Sequence, residues 1–434
     1  MIHDLTKTLL PERGILVGLI LPRSSYQETH ETLNELALLA DTAHVDVVDR
    51  LTQERAGIDS TFFIGRGKAE ELVELIQQHQ AQVVIFDDDL SPAQTRNLEH
   101  LTQVKIIDRS RLILDIFASR AKTHEAQTQV ELAQLIYMLP RLTRQWTHLS
   151  RQAGGSTGGG VGTRGPGETQ LEVDRRATRH RIGALKHELE RISKQRATAR
   201  KRRHEVFHAA LVGYTNAGKS SLMHALSGAD VLIEDRLFAT LDSTTRRVLL
   251  GYNRHILLSD TVGFIKKLPH HLIASFRSTL EETIKADLLL HVVDANHPTC
   301  EEHITTVFEV LNELGVADTP LKMIFNKSDL VNDPSRREHL HTQHPDAIWV
   351  SAQTGEGLED LKWAIYNHLE GGRLTLQVQI PQHEGKLLSE LYRVGEVLHT
   401  TYEGNDVVME LKLSRQNAQR LLPNGHYQIT TPVS

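Results

Sequence analysis

The sequence predicts an α/β protein that contains more than one domain. Short apolar runs alternate with amphipathic helical stretches, first over residues 15–117 and again after residue 205. Between these regions lies a glycine-rich, strongly basic segment that fits neither pattern. A chain of 434 residues, 39% of them hydrophobic, is long enough for two to four domains with separate cores.

The first region, residues 1–122, predicts a small α/β domain with a mostly parallel sheet. The apolar runs are residues 15–21, 45–49, 83–89 and 104–108, with a helical stretch at 28–40. The sequence GRGK at residues 65–68 is too short for a phosphate-binding loop, so we interpret it as the turn that opens a helix. Asp87, Asp88 and Asp89 follow a strand and fit either a ligand site or a capped, solvated loop; we favour the loop.

Residues 123–204 predict a helical arm with a flexible tip. Residues 125–140 have a helical pattern, and residues 154–167 contain eight glycines in 14 positions, which excludes an ordinary helix or strand. A long helix then resumes, with an apolar stripe on one face and basic residues on the others. The stripe is Ile182, Leu185, Leu189 and Ile192, and the basic residues are Arg175, Arg176, Arg179, Arg181 and Lys186. Because glycine backbone can approach a partner closely, we expect the tip to probe a crevice in a large partner.

Charge is unevenly distributed along the chain. The net charge is −6, yet residues 141–204 hold 16 lysines and arginines against five acidic residues. This asymmetry favours an anionic partner, most commonly nucleic acid, over a solvated basic helix. The single cysteine excludes an internal disulfide, and the sequence has no 18-residue apolar run or secretory signal. We therefore expect a cytoplasmic protein with at most peripheral membrane contact.

A phosphate-binding motif opens the third region, residues 205–370. The sequence GYTNAGKS, residues 213–220, lies between a strand pattern and a helix pattern, the context that G-x-x-x-x-G-K-[ST] requires. Its glycines let backbone N–H groups turn toward phosphates, Lys219 reaches the β- and γ-phosphates, and the next helix points its positive end at them. Ser220 is then expected to bind Mg²⁺.

Three further motifs follow in the order that binding of a guanine nucleotide requires. Asp260 ends an apolar strand where it can hold Mg²⁺ through water, and the backbone of Gly263 can bond the γ-phosphate. In NKSD, residues 326–329, the carboxylate of Asp329 can accept two hydrogen bonds from guanine, whereas adenine offers no such donor pair. SAQ, residues 351–353, supplies backbone groups for the guanine oxygen. The pattern therefore predicts GTP rather than ATP.

FATLD, residues 238–242, lies between the first two motifs. A threonine here is expected to complete Mg²⁺ coordination while GTP is bound and to withdraw after hydrolysis. Thr240, Thr244 and Thr245 are the candidates.

With these motifs the chain resembles the HflX GTPases, a branch of the translation-factor-like P-loop GTPases. The resemblance rests on GYTNAGKS, FATLD, DTVGF, NKSD and SAQ in order, directly after the arm sequence GGSTGGGVGTRGPGETQLEVDRR, and it is weakest at the C-terminal end. It implies an N-terminal α/β domain with the arm, a GTPase domain and a small C-terminal domain. It also implies a factor that binds the large ribosomal subunit and rRNA, separates the subunits of stalled or idle ribosomes, and helps recovery from heat stress.

The motifs and the resemblance together define the expected site. Lys219, Thr240 and Gly263 are the expected catalytic residues, and Ser220 and Thr240 the expected Mg²⁺ ligands. The expected nucleotide-binding residues are Gly213, Tyr214, Thr215, Asn216, Ala217, Gly218, Lys219, Ser220, Phe238, Ala239, Thr240, Leu241, Asp242, Asp260, Thr261, Val262, Gly263, Asn326, Lys327, Ser328, Asp329, Ser351, Ala352 and Gln353.

Two residues bear on the rate of hydrolysis. Many GTPases place a water-orienting glutamine where this chain has Phe264, so we expect slow turnover unless ribosomes accelerate it. Asn216 resembles the asparagine that coordinates K⁺ in potassium-activated GTPases; the alternative is that it only stabilises the loop.

The C-terminal region, residues 371–434, predicts a small α+β domain: a strand at 374–380, a helix at 386–394, two strands and a helix at 415–421. We expect a monomer. The alternative to a ribosome factor is a GTP-dependent signalling switch whose basic arm binds an acidic protein or a membrane surface.

Overall fold

The computed structural model of the chain describes residues 11–22, 25–142, 166–201, 206–228, 237–238, 240–251, 254–267, 280–371, 373–414, 418, 421–422 and 427–429. Most of the expected glycine-rich tip, with Arg164, lies outside these residues, as does Ala239. Three sheets are described, and they agree with the predicted α/β class. No helix within the described residues combines the length and the apolar character needed to cross a bilayer.

The N-terminal sheet is parallel and has the strand order β2-β1-β3-β4. Its elements are β1 (Glu12–Ile20), α1 (Tyr26–Thr42), β2 (Val45–Glu54), α2 (Arg66–His79), β3 (Val83–Phe86), α3 (Pro92–Thr102), β4 (Lys105–Asp108) and α4 (Arg109–Arg120). Side chains alternate along β1, so Leu16 faces one core and its neighbours Ile15 and Val17 face the other. Helices therefore cover both faces of this sheet, as expected for parallel strands.

Two long helices form the arm, α5 (His124–Leu142) and α6 (Pro166–Lys201). The predicted apolar stripe of α6 faces inward, with Leu185 fully buried, and Arg181 makes two hydrogen bonds of 2.7 and 2.8 Å to the carboxylate of Glu131 in α5. The last two residues of the predicted loop, 166 and 167, instead form the first turn of α6. Proline is well placed there because the first N–H groups of a helix have no intrahelical partner.

The central sheet has the order β10-β9-β8-β5-β7-β6, and only β6 is antiparallel to its neighbour. Its elements are β5 (His208–Gly213), α7 (Lys219–Ser227), β6 (Thr244–Gly251), β7 (Arg254–Asp260), α8 (Glu281–Ile284), β8 (Leu288–Asp294), α9 (Cys300–Glu313), β9 (Leu321–Asn326), α10 (Pro334–Gln343), β10 (Ile348–Trp349) and α11 (Leu358–Gly371). Strand order reverses at β5, so the carboxyl end of β5 is where a ligand crevice is expected.

The C-terminal sheet is antiparallel, with the order β12-β13-β11-β14. It comprises β11 (Arg373–Pro381), α12 (Gly385–Val394), β12 (Glu396–Glu403), β13 (Asp406–Ser414) and β14 (Tyr427–Ile429). Strand β14 was not predicted, and most of the predicted helix at 415–421 lies outside the described residues. An ion pair between Arg254 and Glu396 links this sheet to the central one.

Candidate nucleotide site and its contacts with the N-terminal domain

The loop between β5 and α7 has a backbone that only glycine permits at two positions. Gly218 has φ of 90°, and a Cβ atom there would lie 2.2 Å from Nδ2 of Asn326. A Cβ atom on Gly213 would lie 2.2 Å from the carbonyl oxygen of Val292. The loop therefore lies tightly against β8 and the end of β9, and leads into the N-terminus of α7, where helix geometry favours phosphate.

Lys219 is folded over this loop. Its Nζ donates hydrogen bonds to the carbonyl oxygens of Gly213, at 3.1 Å, and Tyr214, at 2.7 Å. Burial lowers the pKa of Lys219 to about 8, although the carboxylate of Asp260 acts in the opposite direction. A phosphate group bound in the loop would favour the charged amine and so raise this pKa again.

Three oxygen atoms converge beside the lysine. The hydroxyl of Ser220 lies 2.6 Å from Oδ2 of Asp260, and the hydroxyl of Thr240 lies 2.8 Å from Ser220 and 3.0 Å from the same Asp260 oxygen. Burial raises the pKa of Asp260, and its Oδ1 is buried without a hydrogen-bond partner among the described residues. Hydroxyl and carboxylate oxygens are the ligands Mg²⁺ prefers, so this set fits a Mg²⁺ ion.

The other two candidate threonines point elsewhere. The hydroxyl of Thr245 lies 2.7 Å from that of Ser259, and the hydroxyl of Thr244 contacts the sulfur of Met223 at 3.7 Å. Thr244 lies opposite Asp260 in the β6–β7 ladder, but of the three candidate hydroxyls only that of Thr240 makes described hydrogen bonds to Ser220 and Asp260.

The segment after Asp260 forms a short parallel bridge with the phosphate loop. The N–H of Phe264 donates to Gly213 O at 3.1 Å, and the N–H of Thr215 donates to Phe264 O at 2.8 Å. A Cβ atom on Gly263 would lie 2.8 Å from the backbone Cα of Thr215, too close for any residue but glycine unless the loop shifts. The Phe264 side chain is buried in the core between the sheet and α9, where it cannot orient a water molecule at the site.

The NKSD and SAQ segments meet beside the phosphate loop. Nδ2 of Asn326 donates to Ala217 O at 2.9 Å, and its Oδ1 accepts from the N–H of Ala352 at 3.1 Å. Asn326 thus connects three of the predicted motifs. Among the remaining residues of NKSD, Lys327 pairs with Asp294 at 2.6 Å, and the N–H of Ser328 donates to the carbonyl oxygen of Val350. Asp329 lies in a short 3₁₀ helix (Ser328–Leu330). In the SAQ segment, Ser351 is buried and Gln353 is exposed.

A buried polar cluster joins the phosphate loop to the N-terminal domain. The hydroxyl of Tyr214 donates to the carboxylate of Glu35 in α1, which is also paired with Arg109. Arg109 is 1% exposed and donates at 2.8 Å to Asp87. Lys267, four residues after Gly263, pairs with Asp87 at 2.6 Å and with Asp88 at 2.7 Å.

These contacts correct one interpretation of the sequence. Asp87 is buried and paired with cations from two domains, so the preferred solvated loop is wrong at this residue. Burial raises the pKa values of Glu35, Asp88 and Tyr214, while the carboxylates around Arg109 hold the pKa of its guanidinium high. No sequence pattern predicted this cluster. The one feature that could have pointed to it was the run of three aspartates at the end of a strand, which we interpreted as a loop.

Part of the FATLD segment faces the N-terminal domain and the arm. Leu237, Phe238 and Leu241 are buried in a core shared with α4 and α5, together with Val262 and Ile265. The side chain of Asp242 accepts hydrogen bonds from Lys122, the last residue of the N-terminal region, and from Thr123, the first residue of the arm. Thus Phe238, Leu241 and Asp242, expected beside the nucleotide, direct their side chains away from the Ser220–Asp260 cluster.

Three family models match the chain in order. They are described as "GTP-binding GTPase N-terminal" (residues 30–118), "GTP-binding GTPase Middle Region" (residues 120–203) and "50S ribosome-binding GTPase" (residues 208–327). The GTPase HflX of Caldanaerobacter subterraneus is 44% identical over 94% of this chain and 93% of its own length. The chain belongs to the HflX family of GTPases.

Other HflX proteins are similar to this chain to the same degree. The GTPase HflX of Alkalihalophilus pseudofirmus is 47% identical over 90% of both chains, and that of Escherichia coli is 45% identical over 84% of this chain and 85% of its own. Among solved structures, a GTP-binding protein from Sulfolobus solfataricus in complex with GDP is 25% identical, with a TM-score of 0.43, over 82% of this chain and 98% of that chain.

Family membership confirms the predicted fold class and the predicted activity. As an HflX GTPase with a P-loop domain, this protein binds guanine nucleotides and hydrolyses GTP to GDP and phosphate. Mg²⁺ is the general cofactor of such nucleotide binding.

Proposed function

We propose that this HflX GTPase binds the large ribosomal subunit through the arm formed by α5 and α6. In its GTP state it separates the subunits of stalled or idle ribosomes, and hydrolysis permits its release. The observation that carries the proposal is the paired helical arm, on which Arg176 and Arg179, two arginines of the basic segment 141–204, are exposed. The third family model, which matches residues 208–327 and is described as a ribosome-binding GTPase, supports it.

The arm suits an RNA partner for two reasons. Exposed arginines bind phosphates and release counterions, which supplies affinity without reading sequence. The glycines of residues 158–162 let backbone enter a narrow RNA pocket, and Arg164 adds a phosphate contact. An arm that bound only an acidic protein or a membrane would need the charge but not the glycines. A cytoplasmic site of action follows from the ribosomal partner.

The proposed roles within the GTPase domain follow the motifs. Ser220 and Thr240 hold Mg²⁺, with Asp260 acting through water; Lys219 binds the β- and γ-phosphates, and the Gly263 N–H binds the γ-phosphate. Asp329 recognises guanine, and the Ser351–Gln353 backbone meets the guanine oxygen. We further propose domain boundaries at residues 1–122, 123–204, 205–370 and 371–434.

Hydrolysis is proposed to need a partner or an ion. Phe264 is buried, so the position after D-x-x-G supplies no water-orienting group. Asn216 is exposed in the phosphate loop, with φ of 59°, and we propose that its side chain helps bind K⁺ beside the phosphates. Rate measurements in KCl and in NaCl, each with and without ribosomes, test both statements; equal, slow turnover in all four conditions contradicts them.

Sedimentation of 70S ribosomes tests the ribosomal role. The protein is added with a non-hydrolysable GTP analogue, with GDP or without nucleotide. We expect it to travel with the large subunit and to free the small subunit only with the analogue. Arg176→Glu with Arg179→Glu should abolish this, whereas Arg66→Glu with Arg393→Glu, an equal change of charge at exposed sites outside the arm, should not.

Failure of the protein to sediment with ribosomes in any nucleotide state would overturn the proposal. Binding to acidic lipid vesicles under the same conditions would then favour the signalling alternative.

A further inference from the structure

Residues outside the GTPase domain hold the segment that carries Thr240. The described residues of this segment, 237–238 and 240–243, belong to no helix or strand, so side-chain contacts must fix their position. Leu237, Phe238 and Leu241 are 5%, 3% and 2% exposed, and they share a core with α4 and α5. Two contacts, one on each side of Thr240, define this docking site.

The first contact is aromatic. The ring of Phe238 packs edge-on against that of Phe117 in α4, with centroids 4.7 Å apart and planes at 80°. Phe238 has φ of 56°, which is unfavourable for a residue with a side chain. Such a conformation persists only where the surroundings enforce it. The Phe117 contact therefore stabilises a backbone geometry that the isolated segment would not favour.

The second contact is polar and joins the segment to the arm. The carboxylate of Asp242 accepts hydrogen bonds from the N–H groups of Lys122, at 3.1 Å, and Thr123, at 3.2 Å, and from the Thr123 hydroxyl. That hydroxyl in turn accepts from the N–H of Ala126 at 3.2 Å and caps α5. Asp242 thus places a negative charge at the positive end of a 19-residue helix.

With both contacts made, the hydroxyl of Thr240 lies within 3.0 Å of Ser220 and Asp260. We propose that Phe117 and Thr123 are positioning residues for Thr240, and that they set the preference of this GTPase for GTP over GDP. The inference rests on the proposed role of Thr240 as a Mg²⁺ ligand. A threonine that binds Mg²⁺ only while the γ-phosphate is present gives the docked segment a differential contact with GTP. Stabilising the docked state therefore strengthens GTP binding and leaves GDP binding unchanged.

Affinity measurements on the full chain test the inference. Dissociation constants of fluorescent GDP and of a fluorescent non-hydrolysable GTP analogue are measured with Mg²⁺ for Phe117→Ala, Thr123→Ala and Thr240→Ala. For each we expect the analogue to weaken about fivefold or more relative to GDP. Thr123→Ser, which keeps the hydroxyl, should restore the original ratio.

Phe63→Ala is the matched control. Phe63 is also 2% exposed and packs edge-on against Phe86 at 5.8 Å, in the core on the opposite face of the same sheet. Its loss should lower stability while leaving the ratio of affinities intact. If Phe117→Ala does not fold, Phe117→Leu replaces it, because leucine fills the site without an aromatic edge.

The outcomes separate two failures. If Thr240→Ala leaves the ratio unchanged, the proposed Mg²⁺ role of Thr240 is wrong, and the positioning inference fails with it. A second outcome is that Thr240→Ala lowers the affinity for the analogue, but Phe117→Ala and Thr123→Ala change the affinities for the analogue and GDP equally or leave both unchanged. In that case the docking site has only a structural role. An equal change of ratio in Phe63→Ala leads to the same conclusion.

Discussion

The hydroxyl of Tyr214, in the phosphate-binding loop, donates a hydrogen bond to the carboxylate of Glu35, in the first helix of the N-terminal domain. The N–H of Lys266 donates to the same hydroxyl at 2.7 Å. His303 of α9 stacks on the tyrosine ring, with centroids 3.7 Å apart. One side chain thus joins the phosphate loop, the segment after D-x-x-G and the N-terminal domain.

Arg109→Met should strongly destabilise the N-terminal domain. Arg109 is buried between Glu35 and Asp87. Removing it leaves the Glu35 carboxylate with the Tyr214 hydroxyl but no cation among its described partners, and leaves Asp87 with Lys267 alone. Breaking a buried pair in this way costs about 3–5 kcal/mol. Urea denaturation followed by circular dichroism measures the loss, and hydrogen exchange of β3 locates it.

Arg66→Met is the control for this change. Arg66 pairs with Glu70 on an exposed helix face, where an ion pair contributes about 0.5 kcal/mol or less. If Arg109→Met lowers the free energy of unfolding by less than about 1 kcal/mol, the buried cluster is dispensable for stability.

Thr240→Ala should slow GTP hydrolysis by about tenfold or more, because the Mg²⁺ ion that neutralises the γ-phosphate in the transition state would lose a proposed ligand. Phosphate release at several Mg²⁺ concentrations measures the effect, which excess Mg²⁺ should partly reverse. Thr244→Ala, in β6 and bonded to Met223, is the control and should retain full activity. Equal rates for both variants would exclude the metal role of Thr240.

Asp329→Asn should weaken GTP binding about a hundredfold or more. An amide cannot accept both donor hydrogens of guanine, and one polar group is left unpaired. Xanthosine triphosphate, which has an oxygen in place of the exocyclic amine, should bind the variant better than the original protein. Asp333→Asn is the control, because Asp333 caps α10 and asparagine caps equally well. Isothermal titration calorimetry measures the dissociation constants of both nucleotides. An unchanged preference for GTP would rule out Asp329 as the residue that recognises guanine.

His291→Leu should make the GTPase domain less sensitive to acid. Burial lowers the pKa of His291 to about 3, whereas an unfolded histidine has a pKa of about 6.5. Between these values the unfolded state binds one more proton, so stability is complete above about pH 6.5 and falls as pH drops toward 3. The difference in free energy of unfolding between the variant and the original protein should therefore shift in favour of the variant by about 2 kcal/mol from pH 7.5 to pH 5.

Denaturation midpoints at the two pH values test this prediction. His187→Asn, a substitution at an exposed site on α6, is the control. Parallel pH profiles for His291→Leu and the original protein would contradict the assignment of a neutral, buried imidazole.

Local spacing made the nucleotide motifs predictable. Residues 213–220 combine a strand end, two glycines and a helix start, and each feature depends on neighbours within a few positions. NKSD and Asp260 are likewise strand ends, and parallel strands bring their carboxyl ends to one edge of the sheet. Hence the motifs meet, and Asn326 reaches both Ala217 and Ala352.

Other features failed because their partners are distant in sequence. The partners of Asp87 are 22 and 180 residues away, so nothing near the aspartates indicated burial. Strand β14 has only three residues and exists by pairing with β11, about 50 residues earlier. Short strands carry little periodicity of their own.

The α/β class, the guanine-nucleotide motifs, the family resemblance and the paired helices of the arm were all predictable from the sequence, because glycine placement, apolar period and motif order are local properties. The three-dimensional structure was needed to show that Tyr214, Lys267, Phe238 and Asp242 face the N-terminal domain and the arm. These side chains act across domains, and their contacts depend on how separately folded sheets pack together. Which residues meet there is set by complementary charge and shape where the domains pack together, and not by spacing along the chain.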